Sequence, residues 1–177
     1  MRRLVLVRHA QVDVRDDVPA VEWRLTRQGR DAAAALAGLP VFAGVRVVAS
    51  SPEPKAHATA LPVAARLGLP VHVDGALRES ERPELPLLPR AEHEALVGRY
   101  LAGERLEGWE AVEAVRARMR GAVERSLAGH DGDAAVVSHG RALAILLGLS
   151  PAEWAAIPLP AVAVADAGDL RLVQPFA

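Results

Sequence analysis

The chain has 177 residues, 51% of them hydrophobic and 24% charged, which is the size and mixture of one folded domain or two small ones and excludes a disordered chain. Basic and acidic side chains balance to a net charge of -1, which argues against a broad nucleic-acid-binding surface. Cysteine is absent, so disulfides, thiolate metal sites, iron–sulfur clusters and cysteine nucleophiles are ruled out, and a reducing, cytoplasmic setting is expected.

Leu4 to Val7 is a short apolar run without polar alternation, as in a strand covered on both faces. It ends at Arg8, too early for a secretory signal, and no later stretch reaches the roughly 18 apolar residues of a membrane span. Thr26 can cap a helix that carries Ala32, Ala33, Leu36 and Ala37 and stops near Gly38 and Pro40. Val45 to Ala49 reads as a second strand. Pro52 to Leu67 reads as a helix with Pro54 in its first turn and a distortion at Pro62. Val71 to Val73 suits a short edge strand. Pro83 to Pro89 is too proline-rich for regular structure and reads as a loop. Ala91 to Leu101 and Trp109 to Leu127 read as helices, Ala134 to Val137 as a strand, and Arg141 to Leu147 as a short apolar helix before Gly148. Val162 to Ala165 and Leu170 to Val173 flank Gly168 as a closing hairpin. Alternation of strand and helix predicts an α/β fold: a three-layer α/β/α sandwich with a mostly parallel central sheet. One domain over 1–177 is expected, with a small cap around 78–108.

Ligands of open α/β sheets sit at the carboxyl ends of parallel strands. Here those ends deliver Arg8 and His9, then Ser50 and Ser51 with Lys55 close behind, then Ser138, His139 and Gly140. Such a cluster suits a phosphate group. Arg8 can hold two oxygens, Lys55 supplies a point charge, and the helix start after His139 adds backbone donors. One imidazole, kept neutral by adjacent cations, can attack phosphorus, and the other can stabilise the transferring oxygens. Glu79, opening an irregular segment able to fold over the rim, is the candidate acid for the leaving oxygen, with Glu81 and Glu84 as nearby alternatives. No P-loop, dinucleotide fingerprint or serine-nucleophile elbow is present.

This order of fragments resembles the histidine phosphatase superfamily, including its phosphoglycerate mutase-like and phosphohistidine phosphatase-like members. Leu4-Val5-Leu6-Val7-Arg8-His9-Ala10 is similar to the family's opening motif. Leu25-Thr26-Arg27-Gln28-Gly29 is similar to its first helix start, and Ser50-Ser51-Pro52 with Ala56, Thr59 and Ala60 to its second. Leu77-Arg78-Glu79 resembles its acid loop, and Val136-Val137-Ser138-His139-Gly140 its second histidine. The resemblance implies His9 as phosphate acceptor, Glu79 as proton donor, and Arg8, His139 and Gly140 around the phosphate, with no metal and no organic cofactor. Three residues depart from the pattern. Ala10 stands where glycine is usual, Arg15 where many members have asparagine, and Lys55, the only lysine in the chain, where a second pocket arginine belongs. Arg15 and Lys55 are nevertheless expected among the phosphate-binding residues.

The expected activity is a phosphomonoesterase working through a phosphohistidine on a small phosphorylated metabolite or a phosphoprotein. A cofactor-dependent phosphoglycerate mutase shares the same site, but only 59 residues separate Glu79 from His139, which favours a compact phosphatase. A non-catalytic phosphoryl-binding module is the alternative of a different class. The partner expected is a small phosphorylated substrate, with neither nucleic acid nor membrane, for a monomer or homodimer.

Overall fold

The computed structural model describes residues 2–177. The apolar runs become the strands β1 (Arg3–Arg8), β2 (Val45–Ser50), β4 (Asp133–Ser138) and β5 (Ala161–Asp166), with the short β3 (Val71–Val73) and β6 (Leu172–Gln174) outside them. They form one sheet in the order β3-β2-β4-β1-β5-β6. The first four in this order run parallel, whereas β5 lies antiparallel to β1 and β6 antiparallel to β5. The mostly parallel sheet and the closing hairpin thus form as expected. In the hairpin's turn the left-handed residue is Leu170, not Gly168.

Helices cover both faces. α1 (Arg27–Leu36) and α2 (Pro54–Leu67) lie on one side, α4 (Val112–Leu127) and α5 (Gly140–Leu147) on the other, with α3 (Arg90–Leu101) and α6 (Pro151–Ala156) beside α5. Alternation along the strands decides which residue meets which layer. Leu4, Leu6, Ala134 and Val136 pack with α4 and α5, and Val5, Val7, Ala135 and Val137 with α2 and the end of α1. Each such residue fully removed from water contributes about 1.5–3 kcal/mol if it is a valine or leucine.

Two helices differ from the sequence expectation. α2 runs on past Pro62, which removes one amide from its ladder without ending it. α6 was not expected. Its start is written in Ser150 and Glu153, which form a reciprocal capping box around Pro151, but six residues are too few for an apolar period to emerge. No described helix is long and apolar enough to cross a membrane.

Candidate active site

The central strands are stitched together past their ends. The amide of His9 donates to the Ser138 carbonyl (3.1 Å), and that of Ser51 to the Val137 carbonyl (3.0 Å). Parallel pairing therefore sets three fragments, more than forty residues apart in sequence, side by side. The rings of His9 and His139 lie 5.3 Å apart between centroids, tilted by 59°.

His9 Nδ1 lies 2.8 Å from the Ala10 carbonyl oxygen, to which it can only donate, so Nε2 carries the free lone pair. Burial, reinforced by Lys55 and Arg8 against the pull of that carbonyl, lowers the pKa of His9 to about 4. Its ring is therefore neutral near pH 7. Ala10 adopts an ordinary backbone conformation. Its amide donates to Thr59 Oγ1 (3.0 Å) and its methyl packs with Leu25 and Ala33, so the missing glycine costs no strain.

His139 is fully buried and its pKa is held well below the ordinary value, first by burial and then by His9 and Lys55. Its Nε2 lies 2.8 Å from Ser51 Oγ and 3.3 Å from Glu53 Oε1. Ser138 points elsewhere, donating to the Leu77 carbonyl (2.7 Å), as expected for neighbours at a strand end.

Lys55 is buried near both rings, but its ammonium is already engaged. It donates to Glu53 Oε2 (2.5 Å) and to the Ala20 carbonyl (2.7 Å). Glu53 was not among the expected site residues. A glutamate in a helix-start segment carries no distinctive signal, and only the fold reveals its burial between Lys55 and His139.

Glu79 caps α5. Its carboxylate accepts the amides of Ser80 (2.8 Å), Ala142 (2.9 Å) and Arg141 (3.2 Å). Burial alone would raise its pKa, but Arg141 and these three amides outweigh burial and leave it lowered. The amides of Arg141 and Ala142, expected to face a phosphate, are thus taken by Glu79. Arg141 also holds Ser80 through its side-chain and main-chain oxygens (2.7 and 3.0 Å). Arg118 of α4 grips the same loop. It donates to the carbonyls of Ala76, Arg78 and Glu79 while paired with Glu110 through two bonds of 2.8 Å. These clamps lie some forty to sixty residues from the loop, beyond the reach of local sequence patterns.

Arg8 points toward α6. One guanidinium nitrogen donates to the Ile157 carbonyl, while Nε is buried without a partner among the described residues. Gly140 is what admits it. A methyl on Gly140 would stand 3.1 Å from Arg8 Nε and equally close to Trp154 Nε1. Beyond Arg8 opens a cleft of about 400 Å³, lined also by Arg90, His93 and Trp154. Arg15 lies apart on an exposed loop, its Nε and one terminal nitrogen donating to the two carboxylate oxygens of Asp17, and no hydrogen bond or ion pair joins it to the pocket. Among the described residues no group of His, Asp or Glu side chains is arranged to hold a metal ion.

A sequence profile of the histidine phosphatase superfamily (branch 1) matches residues 4–166. The chain belongs to the histidine phosphatase superfamily. No protein with a curated description is significantly similar to this superfamily member. Among solved structures, the phosphate complex of a mycobacterial glucosyl-3-phosphoglycerate phosphatase is 27% identical, with TM-score 0.77 and coverage of 98% of this chain and 95% of that one. A mycobacterial hydrolase is 26% identical at TM-score 0.76, covering 98% and 97%. A phosphoserine phosphatase from Entamoeba histolytica shares the fold at 16% identity and TM-score 0.74, covering 98% and 95%. Membership and these likenesses make the chain a phosphatase-type phosphoryl-transfer enzyme.

Proposed function

We propose that the enzyme hydrolyses the phosphomonoester of a small organic molecule through a phosphohistidine on His9. The observation that carries this reading is the pair of neutral, buried imidazoles 5.3 Å apart, with Glu79 held nearby on a helix start. Nε2 of His9 attacks phosphorus as the ester P–O bond breaks, and Glu79, protonated in the complex, gives its proton to the leaving oxygen. Glu79 then takes a proton from water, which attacks phosphorus, breaks the P–N bond and releases inorganic phosphate. The charge of a bound phosphoryl group is what raises the proton affinity of Glu79 enough to load it. Arg8, His139, Lys55 and the Gly140 turn would surround the phosphate. Arg15 would approach only by movement of its loop. The 78–108 segment would act as a small cap, and the cleft beside Arg8, Arg90, His93 and Trp154 would receive the organic part.

The likeness to the mycobacterial glucosyl-3-phosphoglycerate phosphatase supports hydrolysis over isomerisation. The imidazole and the carboxylic acid supply all the covalent and proton chemistry, so hydrolysis is expected to persist in EDTA. The test offers purified protein an aryl phosphate, then 3-phosphoglycerate with and without 2,3-bisphosphoglycerate. Hydrolysis that falls by roughly a thousandfold or more in His9→Ala supports this reading. Bisphosphate-dependent exchange between positions would make it a mutase, and binding without turnover a phosphoryl-binding module.

A further inference from the structure

The pocket contains a carboxylate that this reaction leaves unused. Glu53 is buried just before α2. Its Oε2 accepts from Lys55 Nζ at 2.5 Å, while Oε1 accepts the Glu79 amide at 2.7 Å and lies 3.3 Å from His139 Nε2. The same Nε2 is 2.8 Å from Ser51 Oγ, which accepts the Glu53 amide at 3.2 Å. A lone pair on Nε2 would be repelled by the carboxylate, so the proton of the neutral ring belongs on Nε2. The other nitrogen, Nδ1, is then a bare acceptor, and it is buried with no hydrogen-bond partner among the described residues. An anionic phosphoryl oxygen needs a donor, which a bare acceptor cannot supply.

We propose that Glu53 is the positioning residue that turns His139 into a donor: it fixes one proton on Nε2 and stabilises the imidazolium formed when Nδ1 takes up a second as an anionic phosphoryl group enters. That second proton comes from the monoprotonated phosphoryl group or from solvent and leaves with the product, and no bond to phosphorus changes in the step. The groups around the ring divide into two sets. His9 at the end of β1, Lys55 in α2, Arg118 in α4 and Arg141 in α5 oppose a positive ring. Glu53, 3.3 Å from Nε2, favours it, and so does Glu79 while it is ionised. In the empty pocket burial and the cations win; an arriving phosphoryl group adds the negative charge that reverses the balance. The same three contacts of Glu53 tie His139, Lys55 and the acid loop to one carboxylate, so ring charging and loop placement share an anchor.

The inference borrows from the proposed function only the position of the phosphoryl group beside the two rings. Its test is histidine side-chain ¹⁵N NMR of wild type during titration with inorganic phosphate near pH 7, with the signal of residue 139 assigned through His139→Gln. Wild type is expected to show His139 passing from neutral to cationic at saturation. Glu53→Gln is expected to keep the ring neutral, to weaken phosphate binding about tenfold, and to move the alkaline limb of the kcat profile down by about one pH unit. Glu53→Asp should restore part of that shift, which loss of packing alone would not do. A wild-type ring that stays neutral at saturation, an absence of phosphate binding, or an unmoved alkaline limb overturns the proposal, and the wild-type titration decides even if a variant fails to fold. His139 charging without any turnover would keep the proposal and defeat the phosphatase reading. Turnover that depends on His9 while His139 stays neutral would do the reverse.

Discussion

His9 is the residue whose environment differs most usefully between folded and unfolded chains. Its pKa falls from 6.5 to about 4 on folding. Between those values the unfolded chain binds a proton that the folded chain refuses. The contribution of His9 to stability is therefore complete above pH 6.5 and declines as pH drops, reaching a loss of about 3 kcal/mol near pH 4. Urea denaturation between pH 7 and 4 should show this decline, and His9→Asn should flatten part of it; parallel curves for the two proteins would refute the assignment. Lys55 and Glu53 form a buried pair, with side chains 7% and 8% exposed. Removing one partner strands the other, so Lys55→Ala alone should cost about 3–5 kcal/mol and more than Lys55→Met combined with Glu53→Leu. Single losses for Lys55→Met and Glu53→Leu that simply add up to the double-variant loss would show that the pair is not coupled. Of these residues His9, His139 and Lys55 were legible, because each follows closely on a recognisable strand. Glu53 was not, since a glutamate beside a proline announces nothing until its burial is known.

Among the elements, α1 and α6 show how local chemistry sets the rim. The motif Leu25-Thr26-x-x-Gly29 does more than start a helix. Thr26 Oγ1 accepts the Gly29 amide (2.9 Å) and donates to Gln11 Oε1 (3.1 Å), pinning the loop that leaves His9. A methyl on Gly29 would stand 2.1 Å from the Gln11 carbonyl oxygen, a contact that only backbone movement could relieve. Gly29→Ala should cost about 1–3 kcal/mol and lower Tm by several degrees in a thermal melt. It should also reduce turnover, because the loop it displaces begins at His9, the proposed phosphate acceptor. Ser150→Ala removes the α6 capping box and should cost about 1 kcal/mol, or roughly 2–4 °C in Tm. An unchanged melt would mean that the loop yields to the Gly29 methyl without strain, or that the Ser150 cap adds nothing to stability. Long, periodic or cap-marked elements could be read from the chain. The loop around Glu79 could be placed but not shaped, because its form depends on Arg118 and Arg141 reaching it from distant helices.

On the scale of the whole molecule, the strand character of each apolar run was readable, and so was the parallel sense of most of the sheet. The lateral order was not, since which strands become neighbours is decided by helix packing on both faces. A ligand that binds only the folded state raises stability by mass action. Vanadate or inorganic phosphate at a hundred times its Kd should therefore add about 2.7 kcal/mol, visible as a higher Tm. At the same anion concentration the gain should shrink in Arg8→Ala, and an equal shift in both proteins would place the anion elsewhere. The ladder that runs past the strand ends, from His9 to Ser138 and from Ser51 to Val137, has one more effect. The first and last thirds of the polypeptide must have met before the two imidazoles can face each other. On the proposed mechanism, a nascent or partly unravelled molecule is expected to be inert toward phosphate esters, and turnover recovered during refolding should report the completed centre of the sheet.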